Sequence, residues 1–326
     1  MKFINMKCRL ICALWAFQLV LSFGVAAQDP LPSWNEGVLK TAIIRYVGDI
    51  TRQGSTTFIP EADRIATFDN DGTLWAEKPL VEGLFILHIA GIQAKKNPSL
   101  QNRQPYKAIL AHDTSFLNHL TERDLIGLFI STHSGLTASE FRAAAEAFFA
   151  SAKTPAGVPI ASLVYKPQLE LLRYLENNGF KNFICTGGDV DFVRVISQKY
   201  YNIPPERVMG SSLVYTFRDS AGVNDVYRLP KVGTINDKQG KPTTIQLQIG
   251  KRPVLACGNE GGGGDIYMLR FSQGNSYPSL QLIVNHDDKE REFAYEEKDN
   301  KSLNWAKKYK WNVISMKNDW NTIFNP

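Results

Sequence analysis

Two hydrophobic rhythms alternate along the chain. From Trp34 to about Gln53, Val38, Ile43, Ile44 and Val47 fall at helical spacing, and Arg64-Ile-Ala-Thr-Phe68 is a short strand-like run that stops at Asp-Asn-Asp-Gly. Residues 79–165 then read mainly as helices: Val81–Ala94, Lys107–Leu120 and Arg123–Ser131, with Thr137-Ala-Ser-Glu140 at capping-box spacing before another apolar helix. Pro167–Asn178 and Asp191–Tyr201 read as helices around the strand Phe183–Cys185. Ser212–Phe217 and Asp225–Leu229 predict a hairpin across Asp-Ser-Ala-Gly. Pro242–Ile249 predicts a helix, Pro253–Cys257 a strand, and IYMLRF after Asp265 a further helix. Leu280–Val284 and Val313–Met316 complete the strands, with a charged helix predicted from about Asp288 to Lys308.

Outside 79–165, strands alternate with helices, the pattern of a parallel α/β sheet covered on both faces. Three strands run directly into small or polar residues: Phe68 into DNDGT, Cys185 into TGGD, and Cys257 into GNE. Ligands of open α/β sheets bind beyond the carboxyl ends of the strands, so these three endings are expected to converge. The expected organisation is a leader at 1–27, a core at 28–78 and 166–326, and a helical cap at 79–165 inserted after the first ending.

The leader changes how the charge is read. Lys2, Lys7 and Arg9 precede an apolar run from Leu10 to Val25, and Val25-Ala26-Ala27 offers a small-residue cleavage site. This layout predicts an exported, periplasmic protein; an uncleaved anchor is the alternative reading. Without residues 1–27 the net charge falls from +5 to +2, so the basic balance gives no case for a nucleic-acid partner. Cleavage would remove Cys8 and Cys12 and leave Cys185 and Cys257, each inside an apolar run and expected to be a buried thiol. No other segment is apolar enough to span a bilayer, and no stable membrane association is expected after cleavage.

Asp69 and Asp71 stand two residues apart on a tight loop, where both can face one ligand, and Gly72 permits the sharp turn. The whole string FDNDGTLW resembles the first motif of the haloacid-dehalogenase-like (HAD) superfamily in the form its phosphatases use. The resemblance implies a Rossmann-like three-layer core with a mainly parallel sheet and an inserted α-helical cap. It makes Asp69 the nucleophile that forms an aspartyl-phosphate and Asp71 the general acid/base. A carboxylate attacking a phosphate ester needs charge neutralisation, which implies Mg²⁺. Asp69 and the Asp71 carbonyl would be ligands.

The later motifs follow in order. Thr186 and the amide of Gly187 would hold the phosphoryl group. Lys241, before the helix-opening Pro242, is the expected cation, with Lys251 the alternative. In GNEGGGGD, Asn259 takes the first polar position and Asp265 is the only aspartate; Asn259 and Asp265 are the expected metal ligands, with Glu260 the alternative to Asp265. Here the chain departs from the GDxxxD and GNSDGD patterns. VNHDDKEREFAY and SMKNDW also look familiar from exported HAD-like hydrolases.

The insert resembles the C1 caps of phosphoserine phosphatases, and Glu77 lies near where those enzymes place a carboxylate that reads the substrate. Asp71 argues against dehalogenation. The resulting expectation is a Mg²⁺-dependent hydrolase of a small phosphate ester; a catalytically silent binding protein and a phosphomutase are the alternatives. Sequence leaves substrate and oligomeric state open.

Overall fold

The computed structural model describes residues 28–325 except Ala221 and Gly262. The segment 1–27, where a leader is expected, lies outside the described residues with Cys8 and Cys12. Leu31–Pro326 forms one compact unit. Helix α1 (Val38–Thr51) leads to the buried strand β1 (Ile65–Phe68). The insert follows as α2 (Val81–Lys96), α3 (Pro98–Gln101), α4 (Tyr106–Ala111), α5 (Thr114–Leu117), α6 (Glu122–His133) and α7 (Ala138–Ser151). Then come α8 (Lys166–Asn177), β2 (Lys181–Asp189), α9 (Val190–Tyr201) and β3 (Val208–Ser211). A hairpin, β4 (Leu213–Ser220) and β5 (Val223–Val232), precedes α10 (Gly240–Gln248) and β6 (Leu255–Asn259). The chain ends with α11 (Asp265–Gln273), β7 (Leu280–Asn285), α12 (Lys301–Tyr309), β8 (Asn312–Ser315) and α13 (Met316–Asp319).

The main sheet has six strands in the order β3-β2-β1-β6-β7-β8, all parallel. The chain builds outward from β1 through β2 and β3, then returns to the other side of β1 with β6. Strand order therefore reverses between β1 and β6, the place where such sheets open a crevice for ligands. Alternation along the strands feeds two cores. Phe68, Ile184, Cys257 and Leu282 enter one, with α1, α8 and α9; Cys185, Ala256 and Ile283 enter the other, with α10, α11 and α12. The result is an α/β/α three-layer fold, as expected.

Cys185 and Cys257 thus lie on opposite faces of the sheet with β1 between their strands, and both are free and buried. Among the described residues no helix is long and apolar enough to cross a membrane.

The capping box at Thr137 forms as expected, with the Glu140 amide 3.1 Å from Thr137 Oγ1 and Glu140 Oε2 accepting from the Thr137 amide at 2.8 Å. Three expectations need correction. The helix expected over Lys107–Leu120 breaks at His112, whose φ of 51° is left-handed, and Asp113 caps a new turn by accepting from the Phe116 amide. The helix expected from Asp288 begins only at Lys301. Before it, Arg291 clasps the carbonyls of Met316 at 2.8 Å and Trp320 at 2.9 Å, and Asp287 accepts from the Ser315 hydroxyl at 2.6 Å. Charge there ties two loops together instead of lining a helix. Strand β3 was not expected at all.

The insert is partly welded to the core: Phe149 of α7 packs on Phe192 of α9 with ring centroids 4.8 Å apart. Hairpin β4–β5 lies outside 79–165 but joins the insert. The Gly135 amide donates to the Arg228 carbonyl and the Arg228 amide to that of Leu136, both at 2.9 Å.

Candidate active site

The loop after β1 is a self-bonded turn. The Asn70 carbonyl accepts from the amides of Thr73, Leu74 and Trp75 at 3.2, 2.8 and 3.3 Å, and Gly72, at φ 72°, takes the left-handed corner. Tyr201 donates to Asn70 Oδ1 from below at 3.0 Å. This fixes Asp69 at the carboxyl end of the central strand, where its amide donates to the Cys257 carbonyl at 3.0 Å. Asp71 accepts from the Trp75 indole at 2.8 Å. Burial, opposed by that hydrogen bond and reinforced by the charge of Glu82, pushes the Asp71 carboxyl up to about 6. A carboxyl in that range can give and take a proton near neutrality.

Lys241 lies at the start of α10 and is buried. Its Nζ stands 2.6 Å from Asp69 Oδ1 and 2.5 Å from Asp265 Oδ1. Burial works against this ammonium, but the Asp265 and Asp69 charges outweigh it and hold its pKa above the ordinary value. Lys251 instead pairs with Asp63 at 2.6 Å on the surface, far along the chain's other loops. Asp265 turns its second oxygen to the Asn259 amide at 2.9 Å, and the Cβ of any residue replacing Gly258 would meet that carboxylate at 2.5 Å. One cation among three acidic groups leaves the site electronegative. Burial first, then the Asp265 charge, hold Asp69 well above the usual carboxylate range despite Lys241.

Thr186 lies on β2 two residues beyond Ile184, which pairs with Phe68. Its Oγ1 accepts from the Gly188 amide at 3.0 Å, and Asn236 donates to its carbonyl at 2.8 Å. Asp189 then caps α9 by accepting from the amides of Asp191 and Phe192 at 3.0 and 3.2 Å. Gly187 is exposed at the mouth of the site. Glu82, from the first turn of α2, accepts from the Asp189 amide at 3.2 Å and faces His133 Nε2 at 3.5 Å. Arg228 of the hairpin pairs with Asp189 at 2.6 Å and with Asp191, so hairpin, insert and core meet behind this loop.

On the β6 side, Asn259 directs its amide NH₂ to Glu77 Oε2 at 3.2 Å and the Tyr295 hydroxyl at 3.0 Å; Tyr295 also donates to Glu77. His286 stacks on Tyr295 with centroids 4.3 Å apart and meets the Gly72 carbonyl at 2.9 Å. Glu77 therefore sits beside the glycine-rich loop. Tyr295, Glu82 and Arg228 are the site residues that sequence reasoning missed. VNHDDKEREFAY had flagged the segment holding Tyr295, while the other two carry no local signal.

These contacts bear on a hard cation. Among the described residues, no group of three or more His, Cys, Asp or Glu side chains is arranged for a metal. The oxygen donors that the loops after β1 and β6 offer are Asp69, the Asp71 carbonyl and Asn259, whose NH₂ is bound to Glu77 and Tyr295. Asn259 fits against the turn only because position 72 is glycine; a Cβ there would meet Asn259 Nδ2 at 2.1 Å. Oxygen-only donors around excess negative charge suit Mg²⁺. Both oxygens of Asp265 are taken by Lys241 and the Asn259 amide. Glu260 points away, accepting from the Glu297 amide at 3.0 Å.

No protein-family profile and no curated protein matches the chain. Solved structures do. A conserved protein of unknown function from Anaerococcus prevotii DSM 20548 superposes with a TM-score of 0.61 at 16% identity, over 88% of this chain and 94% of that one. A protein of unknown function from Bordetella pertussis Tohama I gives 0.47 at 14% identity, over 77% and 97%. A phosphoserine phosphohydrolase-like protein from Francisella tularensis gives 0.41 at 17%, over 77% and 94%. The Anaerococcus protein shares the overall fold, and the strands of Cys185 and Cys257 flank that of Asp69 as the resemblance implied. The chain has a Rossmann-like α/β/α fold, with Asp69, Thr186 and Asn259 at the carboxyl ends of β1, β2 and β6 and Lys241 bonded to Asp69.

Proposed function

We propose that the protein is an exported, Mg²⁺-dependent phosphomonoesterase of the HAD superfamily, with residues 79–165 as its cap. The observation that carries this reading is Lys241 bridging Asp69 and Asp265 at the reversal of strand order, beside Asp71 and Thr186. Lys241 holds Asp69 Oδ1 and leaves Oδ2 to attack phosphorus. As the Asp69–phosphorus bond forms, the bond from phosphorus to the leaving oxygen breaks, and Asp71 delivers its proton to that oxygen. Asp71 then takes a proton from water, whose oxygen displaces Asp69 and yields inorganic phosphate. Thr186 and the Gly187 amide hold the phosphoryl oxygens. Asp69, the Asp71 carbonyl and Asn259 would hold Mg²⁺, with Asp265 acting through Lys241 or water. The ion would supply charge neutralisation for two anions brought together.

Glu77 bears on the substrate through Asn259 and Tyr295, which it contacts. A silent binding protein is the second reading, favoured by one observation: Gly261 stands where the GNSDGD pattern carries its first aspartate. Hydrolysis of p-nitrophenyl phosphate with Mg²⁺, and with EDTA in its place, decides between them. Metal-dependent turnover that disappears in Asp69→Asn supports the enzyme. Phosphate binding without turnover supports the silent protein.

A further inference from the structure

Beside the Gly187–Gly188 loop opens a cavity of about 650 Å³, within the size range of small-molecule sites. Its walls are Leu80 and Leu84 of the α2 region, Leu125, Ile126 and Phe129 of α6, and Ile235 of the segment after the hairpin. Leu80 is 52% exposed, Leu125 52%, Ile126 47% and Ile235 67%, so large apolar side chains stand open around one concavity. Such grouping on one concave surface marks a binding site. The insert backs this wall with its own small core around Ala90, Ile109 and Leu128.

Two features tie the cavity to the reaction centre. Gly187 and Gly188, directly after Thr186, form part of its lining. Glu82 lies at the same boundary: it lines the cavity, holds the Asp189 amide at 3.2 Å and raises the pKa of Asp71 by its charge. Glu82 thus links Asp71, which it touches by charge, to the cavity that it lines. Among the described residues lining it there is no lysine, arginine or histidine; its ionisable side chains are Glu82 and Asp189. Asp189 is already paired with Arg228. A substrate carrying a carboxylate would find no cation here and would meet Glu82.

Resting on the phosphomonoesterase reading, we infer that the groove receives the leaving group, and that this group is an apolar alcohol: the substrate is a freely diffusing, single-chain hydrocarbon phosphate. Hydrolysis then forms the alcohol with the proton from Asp71 and inorganic phosphate with the oxygen of water. The hydrocarbon is removed from water along Leu80, Leu84, Leu125 and Phe129 while the phosphate reaches Thr186 and Asp69.

The test measures kcat/KM for ethyl, butyl, hexyl and octyl phosphate below their aggregation limits, with phosphoserine and with phosphatidate in phosphatidylcholine vesicles. The expected rise is about twofold per added methylene, because the open groove removes each only partly from water, and so at least ~50-fold over the six methylenes from ethyl to octyl. Phosphoserine is expected to fall with ethyl phosphate. Leu125→Asp and Ile126→Asp, both on the exposed rim, should cut the octyl-to-ethyl ratio at least ~10-fold. No dependence on chain length, an undiminished ratio in both variants, a preference for phosphoserine, or faster turnover of vesicle phosphatidate each overturns the inference.

Calorimetric binding of ethyl- and octylphosphonate, which cannot be hydrolysed, separates the two readings. If no ester is turned over yet octylphosphonate binds at least ~50-fold tighter and Leu125→Asp abolishes the gain, the groove stands and the enzyme reading falls. Equal binding of the two phosphonates overturns the groove whatever the activity.

Discussion

The two sides of the site are built on opposite physical terms. On the β1–β6 side, charged and amide groups are tied to one another: Asp69 and Asp265 to Lys241, the Asn259 amide to Asp265, and the Asn259 side chain to Glu77 and Tyr295. Glycines 72 and 258 stand where any Cβ would collide with that network. On the β2 side, Gly187 has nothing within 4 Å of where a Cβ would lie, and the neighbouring wall is open hydrocarbon. A buried charge cluster needs partners in fixed places, because each unpaired charge in low dielectric is costly. An apolar groove needs only shape and area. The first side suits chemistry that does not vary with the alcohol, and the second suits selection of the alcohol.

The largest effect expected from breaking this division is on turnover. Asp69→Asn should lower the rate on p-nitrophenyl phosphate by at least about a thousandfold, because it removes the nucleophile. Rim variants at Leu125 or Ile126 should leave the same assay far less affected than that. A comparable loss from both would mean that the two sides are not separable.

Stability separates them next. Lys241→Met leaves Asp69 and Asp265 buried without their cation, and breaking such a pair costs about 3–5 kcal/mol. Urea unfolding at neutral pH should show that loss. Adding Asp265→Asn to Lys241→Met should recover part of it without restoring turnover. A Lys241→Met protein as stable as the parent would mean that the ammonium does not bind both carboxylates.

Gly72→Ala and Gly187→Ala then form a matched pair. At position 72 a Cβ would meet Asn259 Nδ2 at 2.1 Å and the backbone is left-handed, so a loss of about 1–3 kcal/mol is expected. At position 187 the space is open, and unfolding free energy should move by less than about 0.5 kcal/mol. Equal losses would erase the contrast between a packed side and an open one.

What sequence could show of this division follows from the range of the interactions. Asp69, Thr186 and Asn259 were legible because each sits where an apolar strand stops at a small or polar residue, and Lys241 because Pro242 opens a helix after it, signals within a few neighbours. The sheet order followed from the resemblance that those motifs carried. Tyr295 and Glu77 are 218 positions apart, and Arg228 reaches Asp189 from a hairpin, so only folding brings them together. Strand β3 is four residues long, contains Gly210 and pairs only with β2 at the sheet edge, too little pattern to announce a strand. The charges at 288–292 had the composition of a surface helix, yet Asp288 Oδ1 accepts from the Glu290 and Arg291 amides and turns the chain. The apolar groove was hidden for a different cause. Leu125 and Ile126 fall within the helix expected over Arg123–Ser131 and Leu80 just before the one expected over Val81–Ala94, and nothing local says that they face an opening.

The last effect lies beneath the site, at the two thiols, and shows only at alkaline pH. Cys185 is fully buried against α10, and burial, only partly offset by the nearby Lys241 charge, pushes its pKa up to about 12. An unfolded cysteine titrates near 8.5. The folded state therefore binds that proton more tightly, so the contribution to stability is whole below about pH 8.5 and is lost as pH rises toward 12. Relative to Cys185→Ala, the parent should lose about 1.4 kcal/mol per pH unit above pH 8.5, measurable by urea unfolding between pH 8.5 and 10. Peptide mapping after thiol labelling gives the companion result. Cys185 and Cys257 should stay unlabelled in the native protein at pH 8 and both label after denaturation without reductant. They face opposite cores across β1, so a disulfide between them would require a different strand order. Recovery of such a disulfide, or a pH slope unchanged in Cys185→Ala, would count against the sheet that places Asp69 between them.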